Sequence, residues 1–249
     1  MGKLIYQPKG KAREYSPWAC NLFNGCTNNC SYCYNKKGVG SKLLGKENVT
    51  LKSGFTCKKD AQIAFQKELD KYKDSILADG KGLFFNFVSD PFLKETWALN
   101  YACAEYAMQR GVPCVFLSKR VPNYKMIDLF EKNKDLVKVG FTLTGMDGLE
   151  PNADTNHDRI EAIKILSERG VQTWASIEPI INIGLSFYLM CKANNVGCRE
   201  FKIGVLSGKK DYTPLDVLVF KRDVESLFSD CTILWKNSLL EYIKEPTPF

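Results

Sequence analysis

The chain has 249 residues, among them ten cysteines and a single histidine, and its formal net charge is +7. Apolar residues at 45% and charged residues at 25% are ordinary values for globular proteins, which excludes disorder of the whole chain. No apolar run reaches the roughly 18 residues of a membrane span, and the first residues lack the apolar stretch of a secretory signal. The sequence therefore predicts a cytoplasmic protein without membrane association, whose cysteines stay reduced.

Apolar runs alternate with helical patterns along the chain. Runs typical of strands begin near Cys20, Leu83, Val112, Val137, Val171, Phe201 and Thr232. Helical patterns between them end at Gly80, Gly111 and Gly170. A further helix is expected to begin with Thr213 as its N-cap and Pro214 at its first position.

This alternation predicts an α/β fold with a mostly parallel sheet and right-handed crossovers. Periodicity leaves open whether the sheet is open or curls toward a barrel. In both cases the functional site is expected at the C-terminal ends of the strands, where the connecting loops gather. No low-complexity linker interrupts the pattern, so we expect one domain over residues 1–249.

Positive charge is concentrated in the first quarter of the chain. Residues 1–59 hold eleven basic and two acidic side chains, a net charge of +9. Residues 60–249 hold 24 basic and 26 acidic side chains, a net charge of −2. A basic region of this kind attracts nucleic acid or another polyanion, whereas a solvated loop surface is the alternative interpretation.

A cluster of three cysteines follows the first predicted strand. Cys26, Cys30 and Cys33 lie within eight residues, so three thiolates can converge on one metal centre. A structural zinc ion takes four ligands, and Cys20 or Cys57 is the candidate for the fourth. A [4Fe–4S] cluster takes one ligand per iron, so three cysteines leave one iron open to another molecule. The spacing alone keeps both sites possible.

The pattern of Cys26, Cys30, Tyr32 and Cys33 resembles the signature of radical S-adenosylmethionine (SAM) enzymes, with Tyr32 in the aromatic position. Further stretches resemble the branch related to spore photoproduct lyase, often labelled DNA repair photolyases. They are 7–15, 21–26, 30–34, 89–92, 159–170 and 179–181. The resemblance implies a partial (β/α)6 TIM-like barrel. Residues 1–19 would form a basic N-terminal extension, and a helix and strand within 208–249 would complete the barrel.

The resemblance also implies a chemistry. Cys26, Cys30 and Cys33 would bind three irons of a [4Fe–4S] cluster, and SAM would chelate the fourth. An electron would cleave SAM to methionine and a 5′-deoxyadenosyl radical, which abstracts hydrogen from a substrate. A flavodoxin- or ferredoxin-type protein would supply the electron.

The basic first quarter favours a nucleic acid or nucleotide as the substrate, in repair or modification of the photoproduct lyase type. Two alternatives stay open. One is a radical SAM enzyme that acts on a peptide or small metabolite; with either substrate the enzyme would be of lyase or oxidoreductase type. The other is a zinc-dependent nucleic-acid-binding module without enzymatic activity.

Candidate SAM contacts lie near the ends of two predicted strands. Ser89 and Asp90 follow the Leu83 strand, where the family binds the SAM amino group, and a hydroxyl or carboxylate suits an ammonium. Thr142 and Thr144 are candidates for the ribose or carboxylate. A turn and ordinary strand residues are the respective alternatives.

Further candidates come from the next two strands. Glu178 is a candidate contact to SAM or substrate, with a structural ion pair as the alternative. Ile203 and Gly204 would let the backbone approach the adenine. Cys191 and Cys198 receive no role, and the sequence identifies no catalytic residue.

Overall fold

The computed structural model describes residues 3–37, 40–208 and 210–244, and these hold ten strands and eight α-helices. The strands are β1 (Ile5–Tyr6), β2 (Trp18–Cys20), β3 (Phe23–Asn24), β4 (Thr50–Leu51), β5 (Leu83–Phe85), β6 (Cys114–Ser118), β7 (Val137–Thr142), β8 (Gln172–Ile180), β9 (Glu200–Val205) and β10 (Thr232–Trp235). The helices are α1 (Ser41–Leu44), α2 (Lys58–Asp79), α3 (Trp97–Met108), α4 (Tyr124–Lys132), α5 (Asn156–Glu168), α6 (Ile183–Asn195), α7 (Pro214–Leu227) and α8 (Asn237–Tyr242). The ends of the predicted segments 1–19 and 208–249, and residue 209, lie outside the described residues.

Eight of the described strands form one sheet in the order β1-β2-β5-β6-β7-β8-β9-β10. The β1–β2 pair is antiparallel, and every later pair from β2 to β10 is parallel. A helix lies between each successive pair of parallel strands. The predicted parallel α/β fold is confirmed. Within the described residues the sheet ends at β1 and β10 without closing, so the barrel is partial.

Two helix boundaries have the predicted capping chemistry. Gly80 ends α2 with a positive φ of 68°, and its amide bonds to Leu77 O. At α7 the Thr213 side chain accepts a hydrogen bond from the amide of Asp216, and the Asp216 carboxylate accepts one from the amide of Thr213. This reciprocal pair satisfies backbone donors that a helix start leaves free.

Among residues 3–37, 40–208 and 210–244, no helix has the length and apolar character of a membrane span.

A small second core lies on the side of the sheet away from the main, helix-packed core. It contains Trp174 of β8, which lies against Gly140 of β7. A Cβ atom on Gly140 would lie 2.1 Å from the indole ring, so glycine is required there. The ammonium of Lys202 on β9 lies 4.3 Å from the centroid of the same ring. Burial lowers the pKa of Lys202 to about 8.

Replacing Lys202 with methionine is expected to stabilise the protein by about 2 kcal/mol at neutral pH. The lysine holds its proton to a higher pH in the unfolded chain, where its pKa is near the ordinary 10.5, than in the folded chain. Below pH 8 the free energy of unfolding of the wild type is therefore lowered by the full cost of burying the ammonium, and it rises as the pH approaches 10.5. Thermal unfolding of both proteins across this range should show a gain that shrinks with rising pH, and a constant gain would contradict the argument.

Candidate active site

A cavity of about 430 Å³ lies at the C-terminal ends of the parallel strands. A volume in this range suits a cofactor-sized ligand. The cysteine loop lines one part of the cavity, and residues that follow β5, β6, β9 and β10 line other parts. Of the predicted site residues, those that line it are Cys26, Cys30, Tyr32, Cys33, Ser89, Asp90, Thr142 and Glu178.

The cysteine loop is fixed by its backbone. Gly25 precedes the first cysteine with a φ of 81°, and a Cβ atom there would lie 2.1 Å from a neighbouring carbonyl oxygen. The amide of Cys26 donates to Lys46 O at 3.0 Å, and the amide of Ser31 donates to Leu149 O at 2.9 Å. The loop is thus attached both to the segment before β4 and to the segment after β7.

The thiols of the loop face one cavity, but they are not gathered as a metal site. Within the described ranges, no group of three His, Cys, Asp or Glu side chains is placed to hold a metal ion. Burial raises the pKa of Cys26 to about 12 and also raises that of Cys30. A metal ion reverses this effect, because coordinating thiols lose their protons.

The donor set nevertheless suits an iron–sulfur cluster by its chemistry, since three soft thiols border a cavity with room for a further ligand. The seven cysteines that do not line this cavity are Cys20, Cys57, Cys103, Cys114, Cys191, Cys198 and Cys231. The fourth ligand that a structural zinc ion needs is therefore not found among them at this site. Assignment of Cys26, Cys30 and Cys33 as ligands stays a prediction.

Asp90 connects the loops after β5 and β6 to the cysteine loop. Its carboxylate accepts four hydrogen bonds, from the Phe92 amide at 3.0 Å, the Lys119 amide at 2.7 Å, the Ser118 hydroxyl at 2.5 Å and Asn28 Nδ2 at 2.9 Å. A ligand amine would have to compete with these donors. Asp90 is therefore best suited to position its neighbours.

Two buried polar atoms beside Asp90 have no hydrogen-bond partner among the described residues. They are Asn28 Oδ1 and Ser89 Oγ, on residues that line the cavity and are 2% and 6% exposed. Burying a polar atom costs free energy unless a partner is present, so both atoms suit a ligand that donates hydrogen bonds. Asn28 is absent from the predicted contacts. The one feature of the sequence that points to Asn28 as a contact is its position between Cys26 and Cys30.

A second polar cluster lines the cavity at the end of β8. Glu178 Oε2 accepts hydrogen bonds from Lys236 Nζ at 2.8 Å and from the Tyr15 hydroxyl. The same hydroxyl lies 3.1 Å from Ser176 Oγ. Burial and the nearby Glu178 carboxylate raise the pKa of Tyr15 well above its ordinary value, so the phenol keeps its proton. Glu178 thus lines the cavity and also forms the ion pair that was its alternative, while its contact to SAM or substrate stays a prediction.

Three predicted contacts do not line the cavity: Thr144, Ile203 and Gly204. Thr144 is buried, and its amide donates to Asn156 Oδ1 at 3.0 Å. Ile203 packs in the main core. Gly204 affects the site indirectly, because a Cβ atom there would lie 2.8 Å from Glu178 Oε1. Glycine at this position therefore makes room for the Glu178 side chain.

Tyr32 joins the cysteine loop to a buried ion pair. Its hydroxyl donates to Glu150, whose carboxylate lies 2.5 Å from Arg159 with both side chains fully buried. Burial and the Glu150 charge raise the pKa of Tyr32. Arg159 also donates to Thr142 O at 2.8 Å. These contacts link the cysteine loop to the end of β7.

Lysines give the cavity a positive border. Lys11, Lys37 and Lys119 line it, and none of them forms an ion pair with a residue in the described part of the chain. Lys11 and Lys37 are exposed and belong to the basic first quarter. A border of this charge attracts anionic ligands.

No protein-family model matches the chain. An uncharacterised protein of Methanocaldococcus jannaschii is 27% identical over 179 residues, which are 66% of this chain and 60% of that protein. A mutant of spore photoproduct lyase with bound AdoMet and dinucleoside spore photoproduct has a TM-score of 0.63 and 16% identity, over 89% of this chain and 64% of that one. SuiB of Streptococcus suis bound to S-adenosylmethionine has a TM-score of 0.57 and 13% identity, over 85% of this chain and 44% of that one.

The chain thus covers less than two thirds of the length of each of these three proteins, including 60% of the Methanocaldococcus jannaschii protein. At the identities to the solved structures, the likeness concerns the fold. Spore photoproduct lyase and SuiB are radical SAM enzymes. The chain has the fold of these radical SAM enzymes. The resemblance that the cysteine motif indicated is therefore confirmed for the fold.

Proposed function

We propose that the protein is a radical SAM enzyme that holds a [4Fe–4S] cluster through Cys26, Cys30 and Cys33. The observation that supports this most strongly is that three thiols and two unpartnered buried oxygens share one cavity, at the strand ends where this fold places its functional site. When bound, the cluster and SAM supply the 5′-deoxyadenosyl radical that abstracts hydrogen. We further propose that a flavodoxin- or ferredoxin-type protein supplies the electron. In this proposal residues 1–249 form a single domain that works in the reducing cytoplasm.

The chain's own residues bind, orient and shield the ligand in this proposal. Asn28 and Ser89 accept hydrogen bonds from the SAM ammonium, and Asp90 orients Asn28. Phe87 and Leu117 give the cavity apolar walls that exclude water from the reaction. Among further predicted contacts, Thr142 lines the cavity and stays the candidate for the ribose or carboxylate; Thr144, Ile203 and Gly204 act at most through their neighbours.

Asn28→Ala is expected to weaken SAM binding about tenfold, because a hydrogen bond to an ammonium group is lost. Thr27→Ala is the matched control, since Thr27 lies in the same loop but does not line the cavity. Equilibrium dialysis of SAM with cluster-loaded protein measures both affinities. An equal loss in the two variants would show a general effect on the loop and contradict the assignment.

We propose nucleic acid or a nucleotide as the substrate. Support comes from the border formed by Lys11, Lys37 and Lys119, and from the +9 charge of residues 1–59. Among proteins of similar fold, spore photoproduct lyase has been solved with a dinucleoside photoproduct, and SuiB with a precursor peptide. A peptide is therefore the competing substrate in the test.

The test uses anaerobically reconstituted protein reduced with dithionite. We expect 5′-deoxyadenosine to form from SAM, and ultraviolet-damaged DNA or RNA to raise its rate more than peptide pools do. Nucleic acid should bind with a steep dependence on salt, because bound phosphates release counterions. Binding that does not change with salt would remove the nucleic-acid class. Absence of SAM cleavage by cluster-loaded protein would remove the enzyme assignment itself.

A further inference from the structure

The segment ahead of β2 closes one side of the cavity with an aromatic side chain. A short 3₁₀ helix, Gly10–Glu14, leads to Tyr15, which lines the cavity. The Tyr15 ring lies 5.8 Å from that of Phe84 and 6.1 Å from that of Phe87, and the two phenylalanine rings stack at 4.3 Å. This part of the cavity is therefore walled by aromatic rings, which favour a flat ligand.

Lys236 holds this segment against the sheet. Its ammonium lies 2.8 Å from Glu178, 3.8 Å from Glu14 and 3.9 Å from the centroid of the Tyr15 ring. The residue is 2% exposed, so from inside the protein it contacts two separate parts of the chain, the end of β8 and the segment ahead of β2. Lys236 is therefore a positioning residue for Tyr15 and Glu178.

The donors and acceptors of this cluster can be assigned, and the assignment shows which atom can still accept a hydrogen bond. Tyr15 donates to Glu178 Oε2, so Ser176 is left to donate to the tyrosine oxygen. Within the described residues, Glu178 Oε1 accepts no hydrogen bond. A ligand here must therefore supply a donor.

Charge in this cluster is balanced, because Glu178 and Glu14 lie near Lys236 and the ammonium of Lys202 lies 5.2 Å from the centroid of the Tyr15 ring. A cationic ligand would approach the buried ammonium, and an anionic one would approach the carboxylate. Both approaches are unfavourable in a buried setting. The cluster consequently suits an uncharged group.

We infer that Tyr15, Ser176 and Glu178 form a second subsite of the cavity, which takes an uncharged flat ring that donates an N–H hydrogen bond to Glu178. The inference rests on the proposed function, because it names the substrate group that this same cavity holds. Such a donor exists in nucleobases of a substrate and in the adenine of SAM. The N-terminal segment favours the substrate as its source, because it also places Lys11 of the basic border at the cavity.

Glu178→Gln tests the donor direction. Lys236 and Tyr15 both donate at the Oε2 position, so the amide oxygen must occupy that position. The amide NH2 then replaces Oε1, so the position assigned to accept from the ligand becomes a donor. Glu14→Gln is the matched control, because Glu14 contacts the same lysine but does not line the cavity.

The experiment titrates the full chain with uridine and with 3-methyluridine, which lacks the ring N–H, before and after cluster loading. We expect uridine to bind wild type about tenfold more tightly than 3-methyluridine does, and Glu178→Gln to lose this preference while Glu14→Gln keeps it. Equal binding of both nucleosides to wild type would overturn the inference. Tenfold weaker SAM binding to Glu178→Gln with unchanged uridine binding would also overturn it, because the ring would then be the adenine of SAM. Because the titration before loading needs no cluster, its outcome is separate from failure of SAM cleavage.

Discussion

Cys30→Ala is expected to lose bound iron and to form 5′-deoxyadenosine more than about 100-fold more slowly than wild type. Replacing a residue that only orients a metal ligand already lowers metal affinity or activity about 10- to 100-fold. Removing one of three ligands should therefore lower them at least as much. Cys30 is buried in the middle of the cysteine loop and lines the cavity. Iron content, acid-labile sulfide and 5′-deoxyadenosine are the three quantities to measure.

Cys57→Ala is the matched control for this prediction. Cys57 is exposed at the N-cap of α2 and does not line the cavity. Its replacement should leave iron and sulfide at the wild-type level. Equal losses in the two variants would return Cys57 to the ligand set and favour a four-cysteine zinc site.

Glu150→Gln is expected to lower the free energy of unfolding by about 3 kcal/mol. Glu150 and Arg159 are fully buried and 2.5 Å apart, so the amide leaves the guanidinium charge without its counter-ion. Tyr32 also loses the carboxylate that accepts its hydroxyl. Denaturant unfolding measures the change.

A control on α5 and a double variant separate the pair from its surroundings. Glu161→Gln, on the exposed side of α5, should change stability by no more than about 0.5 kcal/mol. Replacing Glu150 with leucine and Arg159 with methionine together should cost less than Glu150→Gln alone, because no unpaired charge remains. A Glu150→Gln loss as small as that of Glu161→Gln would contradict a strong buried pair.

The strands were predictable because parallel strands buried on both faces form continuous apolar runs. The run near Leu83 becomes β5 and the run near Phe201 becomes β9. Boundaries were less predictable. The run that begins at Val112 starts its strand only at Cys114, after a proline that has no amide to donate.

The convergence of the cysteine loop with Ser89 was predictable from topology, since parallel strands bring their C-terminal ends to one edge of a sheet. The role of Asn28 was not, because it depends on a hydrogen bond to Asp90, 62 residues away in sequence. Lys236 likewise gains its role from Glu178, 58 residues away. Local residue patterns contain no record of such partners.

In the proposed function, Cys26, Cys30 and Cys33 hold a [4Fe–4S] cluster whose open iron binds SAM. The decisive measurement is electron paramagnetic resonance of the dithionite-reduced, reconstituted protein with and without SAM, with iron and sulfide counted on the same sample. We expect a cluster with four irons and four sulfides per chain, and a spectrum that changes when SAM is added. One zinc ion per chain with no acid-labile sulfide, or a cluster spectrum that SAM leaves unchanged, would contradict it.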